Sequence, residues 1–295
     1  MTTGVAPANG IEIFYETHGD PEGEPLLLVM GLGAQLISWP DEMVDALVDR
    51  GFFVVRYDNR DVGLSTKFEE PGVDFMTAFA ALQAGEKVDV AYQLSDMAAD
   101  GMALLDHLGI DRAHIVGASM GGMIVQAMAI EHPSRVKSLT SIMSTTGDSD
   151  VGSPQPEAMA MLMRPAATTR DEAIANSVEA SKIIGSPDHF DEDVARKRAE
   201  ESYDRAFYPA GTARQLLGIL ASGSRAEGLK QLDVPTLVIH GDVDPLVTYS
   251  GGQRTAELIP GAELLTMEGM GHDLPAHVLA PIVEAITQLA SRANS

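Results

Sequence analysis

A chain of 295 residues with 45% hydrophobic content can bury one large α/β core carrying an insertion, or fold as two small domains. A formal net charge of −23 argues against nucleic-acid or anionic-membrane partners, both of which need basic patches. The absence of cysteine excludes disulfides, thiolate metal sites and a cysteine nucleophile.

No apolar run approaches a membrane span, and the N-terminus has neither the basic region nor the apolar stretch of a signal peptide, so a cytoplasmic location is expected. Fourteen acidic and ten basic residues lie between Thr146 and Lys230, which leaves most of the excess charge outside that segment. Six lysines against fourteen arginines fit a soluble, self-repelling surface. A homodimer is compatible with these numbers.

Taken in order, Gly10 to Gly19 alternates as an antiparallel edge strand does, and Gly19-Asp20-Pro21-Glu22-Gly23 is its turn. Leu26 to Met30 is a continuous apolar run, expected of a strand buried on both faces, with Gly31-Leu32-Gly33 at its C-terminal end. Trp39-Pro40-Asp41 leads into an amphipathic helix through Met43, Val44 and Leu47 that stops at Arg50-Gly51. Phe52 to Tyr57 is the next strand, and Asp58 to Ser65 the loop behind it. Residues 67–93 have weak periodicity and read as loop with some helix. Ser95 looks like the N-cap of a helix from Asp96 to Leu108, ended by Gly109.

The chain then reaches the stretch that organises the rest. Ala113 to Val116 is short and β-prone, and Met120 to Ile130 has helical length, with Pro133 as a stop signal. Between them lies Gly117-Ala118-Ser119-Met120-Gly121-Gly122, a Gly-x-Ser-x-Gly at a strand-to-helix bend. Glycines are needed there because strand and helix pack too closely for a Cβ. The bend exposes the serine Oγ and aims unpaired helix N–H groups at the place where negative charge would develop. Val136 to Met143 is a further strand.

From Ser144 to about Leu229 strand patterns cease, and helical pieces run over Pro156 to Met163, Arg170 to Ile184, Asp191 to Ala206 and Thr212 to Ser222. Strands resume at Pro235 to His240 and Glu263 to Met267, with helices near Gly252 to Leu258 and from Pro275 to Ser291. One interruption of strand–helix alternation implies a parallel-sheet α/β core in two parts, 1–143 and 231–295, with a helical cap at 144–230.

A serine hydroxyl needs a base, and the base needs an orienting acid; after a Gly-x-Ser-x-Gly bend the chain order is Ser, then Asp or Glu, then His. Two strand-end loops supply candidates, Gly241-Asp242-Val243-Asp244-Pro245 and Gly269-Met270-Gly271-His272. His272 is preferred over His277, which reads as a surface or packing residue of the last helix, and over His240, read as structural. Asp244 is better placed than Asp242 to reach the histidine, because Asp242 directly follows Gly241 and suits an Asx-turn. The oxyanion donors are expected to be the backbone N–H groups of Met120 and Leu32. Asp58 and Arg60 read as braces of the loop beside the site.

At these residues the chain resembles the serine α/β-hydrolase superfamily over nearly its whole length, and within it the esterases related to aclacinomycin methylesterase. The resemblance rests on Leu28-Val29-Met30-Gly31, Trp39-Pro40-Asp41-Glu42, Arg56-Tyr57-Asp58, Arg60-Asp61, Ser119-Met120-Gly121, Val234 to Ile239, Asp244-Pro245 and Gly269 to His272. It implies an eight-stranded, mostly parallel sheet with a helical lid, Ser119, Asp244 and His272 as triad, and Leu32 and Met120 as oxyanion donors. Many relatives carry His-Gly where this chain has Met30-Gly31, a small departure where a backbone N–H acts.

The expected activity is a cofactor-free carboxylic-ester hydrolase without a metal, acting on a small to medium, largely apolar ester. Gly31, Met143, Met159 and Met163 are candidate pocket residues, although the cap methionines equally suit the cap–core interface. A haloperoxidase-like or perhydrolase activity, run by resembling proteins with the same triad, and a small-molecule receptor of the same fold are the alternatives. Epoxide hydrolases and haloalkane dehalogenases carry Asp at the bend, so Ser119 counts against both.

Overall fold

The computed structural model describes residues 1–69 and 74–294. It begins with a hairpin, β1 (Thr2–Ala8) and β2 (Ile11–His18), in which Ala8 faces Ile11 and only Asn9 and Gly10 make the turn. Both have positive φ (49° and 81°), as a two-residue type I′ turn requires. Sequence reading places only the second strand. The missed β1 is an edge strand, where Pro7 costs no ladder hydrogen bond.

Next come β3 (Glu24–Val29), α1 (Asp41–Asp49), β4 (Phe52–Tyr57), α2 (Phe75–Gln83), α3 (Leu94–His107), β5 (Ala113–Ala118), α4 (Met120–Glu131) and β6 (Val136–Ile142). Of the weakly periodic stretch 67–93, residues 70–73 lie outside the described residues, and α2 is its helix. Helix α3 starts two residues earlier than Ser95 suggests, with Gln93 at the N-cap. Asp96 instead caps it, accepting the Gln93 N–H at 2.8 Å.

After β6 the chain is helical: α5 (Pro156–Leu162), α6 (Arg170–Ile184), α7 (Glu192–Arg205), α8 (Pro209–Ser222) and α9 (Ala226–Leu229). Then β7 (Thr236–Gly241), α10 (Ser250–Leu258), β8 (Glu263–Met267) and α11 (Ala276–Ala293) close the fold. Helix α10 therefore begins two residues before Gly252, and α8 begins at Pro209, where a proline suits the first helical position.

All eight strands form one sheet in the order β1-β2-β4-β3-β5-β6-β7-β8. The two leading pairings are antiparallel and the rest parallel. Residues of β4, β5 and β7 are buried at every position, as parallel strands covered on both faces must be. Alternation divides the core into two layers. Leu27, Val29 and Ile115 pack with Met97, Leu104 and Ile124 on the α3–α4 face, while Leu26, Leu28 and Val116 pack with Met43, Leu47, Val278 and Ile282 on the α1–α11 face.

The chain leaves β3 for β4 on one side and returns to β5 on the other, so a topological switch point lies between β3 and β5, at whose carboxyl ends open α/β sheets place their sites. The helical insertion between β6 and β7, the cap, has a small apolar cluster of its own: Ile174, Val178 and Ala199, with Phe190 and Ala195 against them. Among the described residues no helix is long and apolar enough to cross a membrane.

Candidate active site

Ser119 is the single residue between β5 and α4. Its φ of 56° and ψ of −120° lie outside the regions an L-residue prefers, a strained conformation that the surroundings must impose. They do so from several sides. The Ser119 N–H donates to Ile142 O at 2.9 Å, and its carbonyl accepts the Ser144 hydroxyl at 2.8 Å. A Cβ on Gly117 would meet the backbone of Gly121, one on Gly121 the carbonyl of Val29, and one on Gly122 the Ser144 side chain. Only glycine lets α4 lie this close to β3 and β5. Helix α4 is accordingly buried all round from Met120 to Ala129.

The loops after β7 and β8 complete the site beside Ser119. His272 Nε2 lies 2.9 Å from Ser119 Oγ, and His272 Nδ1 lies 2.7 Å from Asp244 Oδ2. An ionised carboxylate can only accept, so Nδ1 carries the proton; in the neutral ring Nε2 is then the acceptor of the serine hydroxyl. Asp244 is 3% exposed, and its other oxygen accepts the N–H groups of Leu246 and Val247 at 2.8 and 2.9 Å. Burial opposes its charge, but the nearby His272 with its hydrogen bond, and His240 with its Nε2 3.6 Å away, outweigh burial and hold the carboxyl down at about 2.

Asp242 is engaged elsewhere, accepting the Gly269 N–H at 2.8 Å. His240 donates Nε2–H to Val247 O at 2.7 Å, and His277 is exposed and stacked on His189 with ring centroids 3.8 Å apart. The structure thus brings together Ser119, His272 and Asp244, leaves Asp242 and His277 outside, and places His240 behind the acid, its Nε2 3.6 Å from Asp244 Oδ2.

The loop after β3 faces Ser119 closely. A Cβ on Gly31 would stand 3.0 Å from the Ser119 Cβ and 3.2 Å from Ala118 O. Leu32 follows Gly31 in this loop, and among the described residues its N–H has no acceptor. Met120 is the first residue of α4, and its N–H is among the four that a helix start leaves unpaired.

Loop 30–36 is held from the side by the β4 loop: Asn59 Nδ2 donates to Met30 O at 2.9 Å, and Asp58 Oδ1 accepts the Leu36 N–H at 2.8 Å. Asp58 also takes the Leu64 N–H and the Arg205 guanidinium, each at 2.8 Å. Arg60 turns away and grips Asp100 with two hydrogen bonds, at 2.6 and 2.7 Å.

A cavity of about 200 Å³ opens between cap and core, with Gly33, Gln35 and Asp61 on one wall and Tyr203, Phe207 and Tyr208 on the other. None of Gly31, Met143, Met159 and Met163 lines it. Met143 is buried at the end of β6 with its N–H on Ile239 O, and Met159 and Met163 are half-buried on and just after α5. Among the described residues no group of three or more His, Asp or Glu is arranged to hold a metal.

Sequence reading missed Ser144, Gln215 and Ser186, whose side chains support these loops. None carries a local signal. Their partners lie 25 to 182 residues away in the chain.

The family model described as alpha/beta hydrolase fold matches residues 24–275. Rhodomycin D methylesterase DnrP of Streptomyces peucetius is 32% identical over 308 residues, covering 97% of this chain and 97% of its own. A rhodomycin D methylesterase of another Streptomyces, DauP, is 31% identical with the same coverage of both chains. Among solved structures, a meta-cleavage product hydrolase from Pseudomonas fluorescens superposes with a TM-score of 0.77 over 98% of each chain at 22% identity, a likeness of fold.

Proposed function

The chain belongs to the alpha/beta hydrolase fold family, and from that membership we propose that it is a carboxylic-ester hydrolase working through an acyl-enzyme. One observation carries the reading: a single imidazole joins Ser119 Oγ at 2.9 Å to the buried Asp244 carboxylate at 2.7 Å. In this reading His272 Nε2 takes the Ser119 proton as Oγ attacks the ester carbonyl. The oxyanion forms facing the Leu32 and Met120 N–H groups, which need no reorganisation to receive it. His272 then returns the proton to the departing alcohol, and water attacks the acyl-enzyme with the same base. Asp244 keeps the ring in the required tautomer and stabilises the imidazolium.

The methylesterase names of the two Streptomyces relatives support an ester as substrate. Neither the peroxide-dependent nor the receptor alternative is favoured by an observation at this site. Hydrolysis of p-nitrophenyl esters from acetate to laurate, by wild type and Ser119→Ala, tests the proposal. Wild-type turnover abolished in the variant is the expected result, and the acyl length giving the highest kcat/KM sizes the pocket. A wild type inactive on the whole series, or a variant as active as wild type, would overturn it.

A further inference from the structure

The cap reaches both loops around Ser119, each time through a side chain that is fully buried. Gln215 on α8 accepts the Gly33 N–H on Oε1 at 2.8 Å and donates Nε2–H to Arg60 O at 2.7 Å. Gly33 is next to Leu32. Its φ of 67° and the Thr212 side chain against it leave no room for a Cβ.

At the other loop Ser186, just past α6, accepts the Gly271 N–H at 2.9 Å and donates its hydroxyl to Asp273 Oδ1 at 2.5 Å. The same Asp273 oxygen takes the Ser186 N–H at 3.0 Å, and the His272 N–H itself donates to Ile184 O at 2.7 Å. So all three residues from Gly271 to Asp273 are hydrogen-bonded to the cap. Gly185 and Gly271 let the two backbones touch; a Cβ on Gly271 would run into Gly185 and lie 2.7 Å from Ile184 O.

These contacts are not what fastens the cap. Arg205 to Asp58, Arg214 to Asp61, Gln35 to Ser202 and Ala206, and Arg225 to Gln126 do that elsewhere along the seam. Removing Gln215 or Ser186 therefore leaves the cap docked while freeing one loop. A buried amide or hydroxyl is costly unless its partners are fixed, so each locks its loop into one geometry.

We propose that Gln215 and Ser186 are positioning residues, through which the docked cap sets the Leu32 donor and the His272 ring for turnover. The proposal rests on the hydrolase reading. A displacement of reacting groups by about 1 Å costs on the order of 100-fold in rate, so small loop shifts suffice.

The test compares kcat and KM on p-nitrophenyl butyrate for wild type, Ser119→Ala, Gln215→Leu, Ser186→Ala and Arg170→Ala, with deuterium uptake in loops 30–36 and 268–274. Arg170 pairs with Asp204 on the exposed side of the cap, so its variant perturbs the cap without touching either loop. Gln215→Leu and Ser186→Ala should each lower kcat about 10- to 100-fold, with KM within about twofold and faster uptake in their own loop. Arg170→Ala should leave kcat and uptake unchanged. An active wild type whose Gln215 and Ser186 variants keep kcat and uptake, or change KM alone, overturns the inference. An inactive wild type with uptake still raised in the variants sinks the hydrolase reading and leaves the cap's hold on the loops standing.

Discussion

The Asp244 carboxylate divides its two oxygens between functions: Oδ2 faces His272 Nδ1 at 2.7 Å, and Oδ1 accepts two backbone N–H groups of its own loop. With the carboxyl held at about 2 against 3.8 for an ordinary aspartate, its contribution to stability is fully present above the unfolded value and is lost as pH falls towards 2. The shift corresponds to about 2 kcal/mol. Urea unfolding of wild type and Asp244→Asn should therefore differ at pH 6 and converge near pH 2. At neutral pH the variant should lose on the order of 10³- to 10⁴-fold in kcat, because an amide no longer selects the Nδ1–H tautomer.

Gly31 is a second point of sensitivity. An added methyl at 3.0 Å from the Ser119 Cβ meets a backbone already held in a strained conformation, so neither side can yield cheaply. Gly31→Ala should cost about 1–3 kcal/mol in urea unfolding and lower kcat more than about 10-fold. Equal stability and activity in the variant would mean that loop 30–36 moves freely away from Ser119.

Much of this site is readable from the chain because its parts are local. Gly-x-Ser-x-Gly, the paired aspartates after β7 and the Gly-bracketed His272 each sit directly after a strongly patterned strand, and parallel strands bring their carboxyl ends to one edge. Sequence prefers Asp244 to Asp242 on the ground that Asp242 suits an Asx-turn, but in the structure Asp244 accepts from its own loop, and Asp242 is engaged by the Gly269 N–H of a loop 27 residues away. Gln215 has no signature at all, being one polar position on an amphipathic helix until α8 is laid against Gly33. β1 was missed for a different reason. Its Asn9-Gly10 turn is a plain signal, but exposed Thr2, Thr3 and Pro7 hide the strand before it.

That turn makes a clean control. Gly10 has φ of 81° and open space where a Cβ would go, so Gly10→Ala changes backbone strain and little else. It should cost about 1 kcal/mol in thermal or urea unfolding and leave kcat and KM at wild-type values. A loss of activity would show that the hairpin is coupled to the site.

Arg60 and Asp100 form a buried bidentate pair beneath Phe68 and Tyr92, with the guanidinium 5.5 and 5.0 Å from the ring centroids. Burial pushes the Asp100 carboxyl up even with Arg60 beside it. Arg60→Met strands that charge and should cost about 3–5 kcal/mol at pH 7. A carboxyl whose folded value lies above its unfolded one costs stability at high pH and ceases to as pH falls, so the deficit should shrink between pH 7 and 5. A deficit independent of pH would assign the loss to packing alone.

The cap's own apolar cluster holds three buried residues, Ile174, Val178 and Ala199, and its seam with the core combines apolar contacts through Ile219 and Leu229 with charged and amide contacts such as Arg205 to Asp58, Arg214 to Asp61 and Gln35 to Ser202. Core and seam therefore answer to different stresses. Apolar burial strengthens on warming from low temperature and is insensitive to ionic strength, whereas partly solvated ion pairs weaken in salt and urea solvates their backbone neighbours. Inactivation should therefore precede melting, with catalysis fading in salt-supplemented urea while the sheet still gives a folded circular-dichroism signal, and recovering on dilution without refolding of the core.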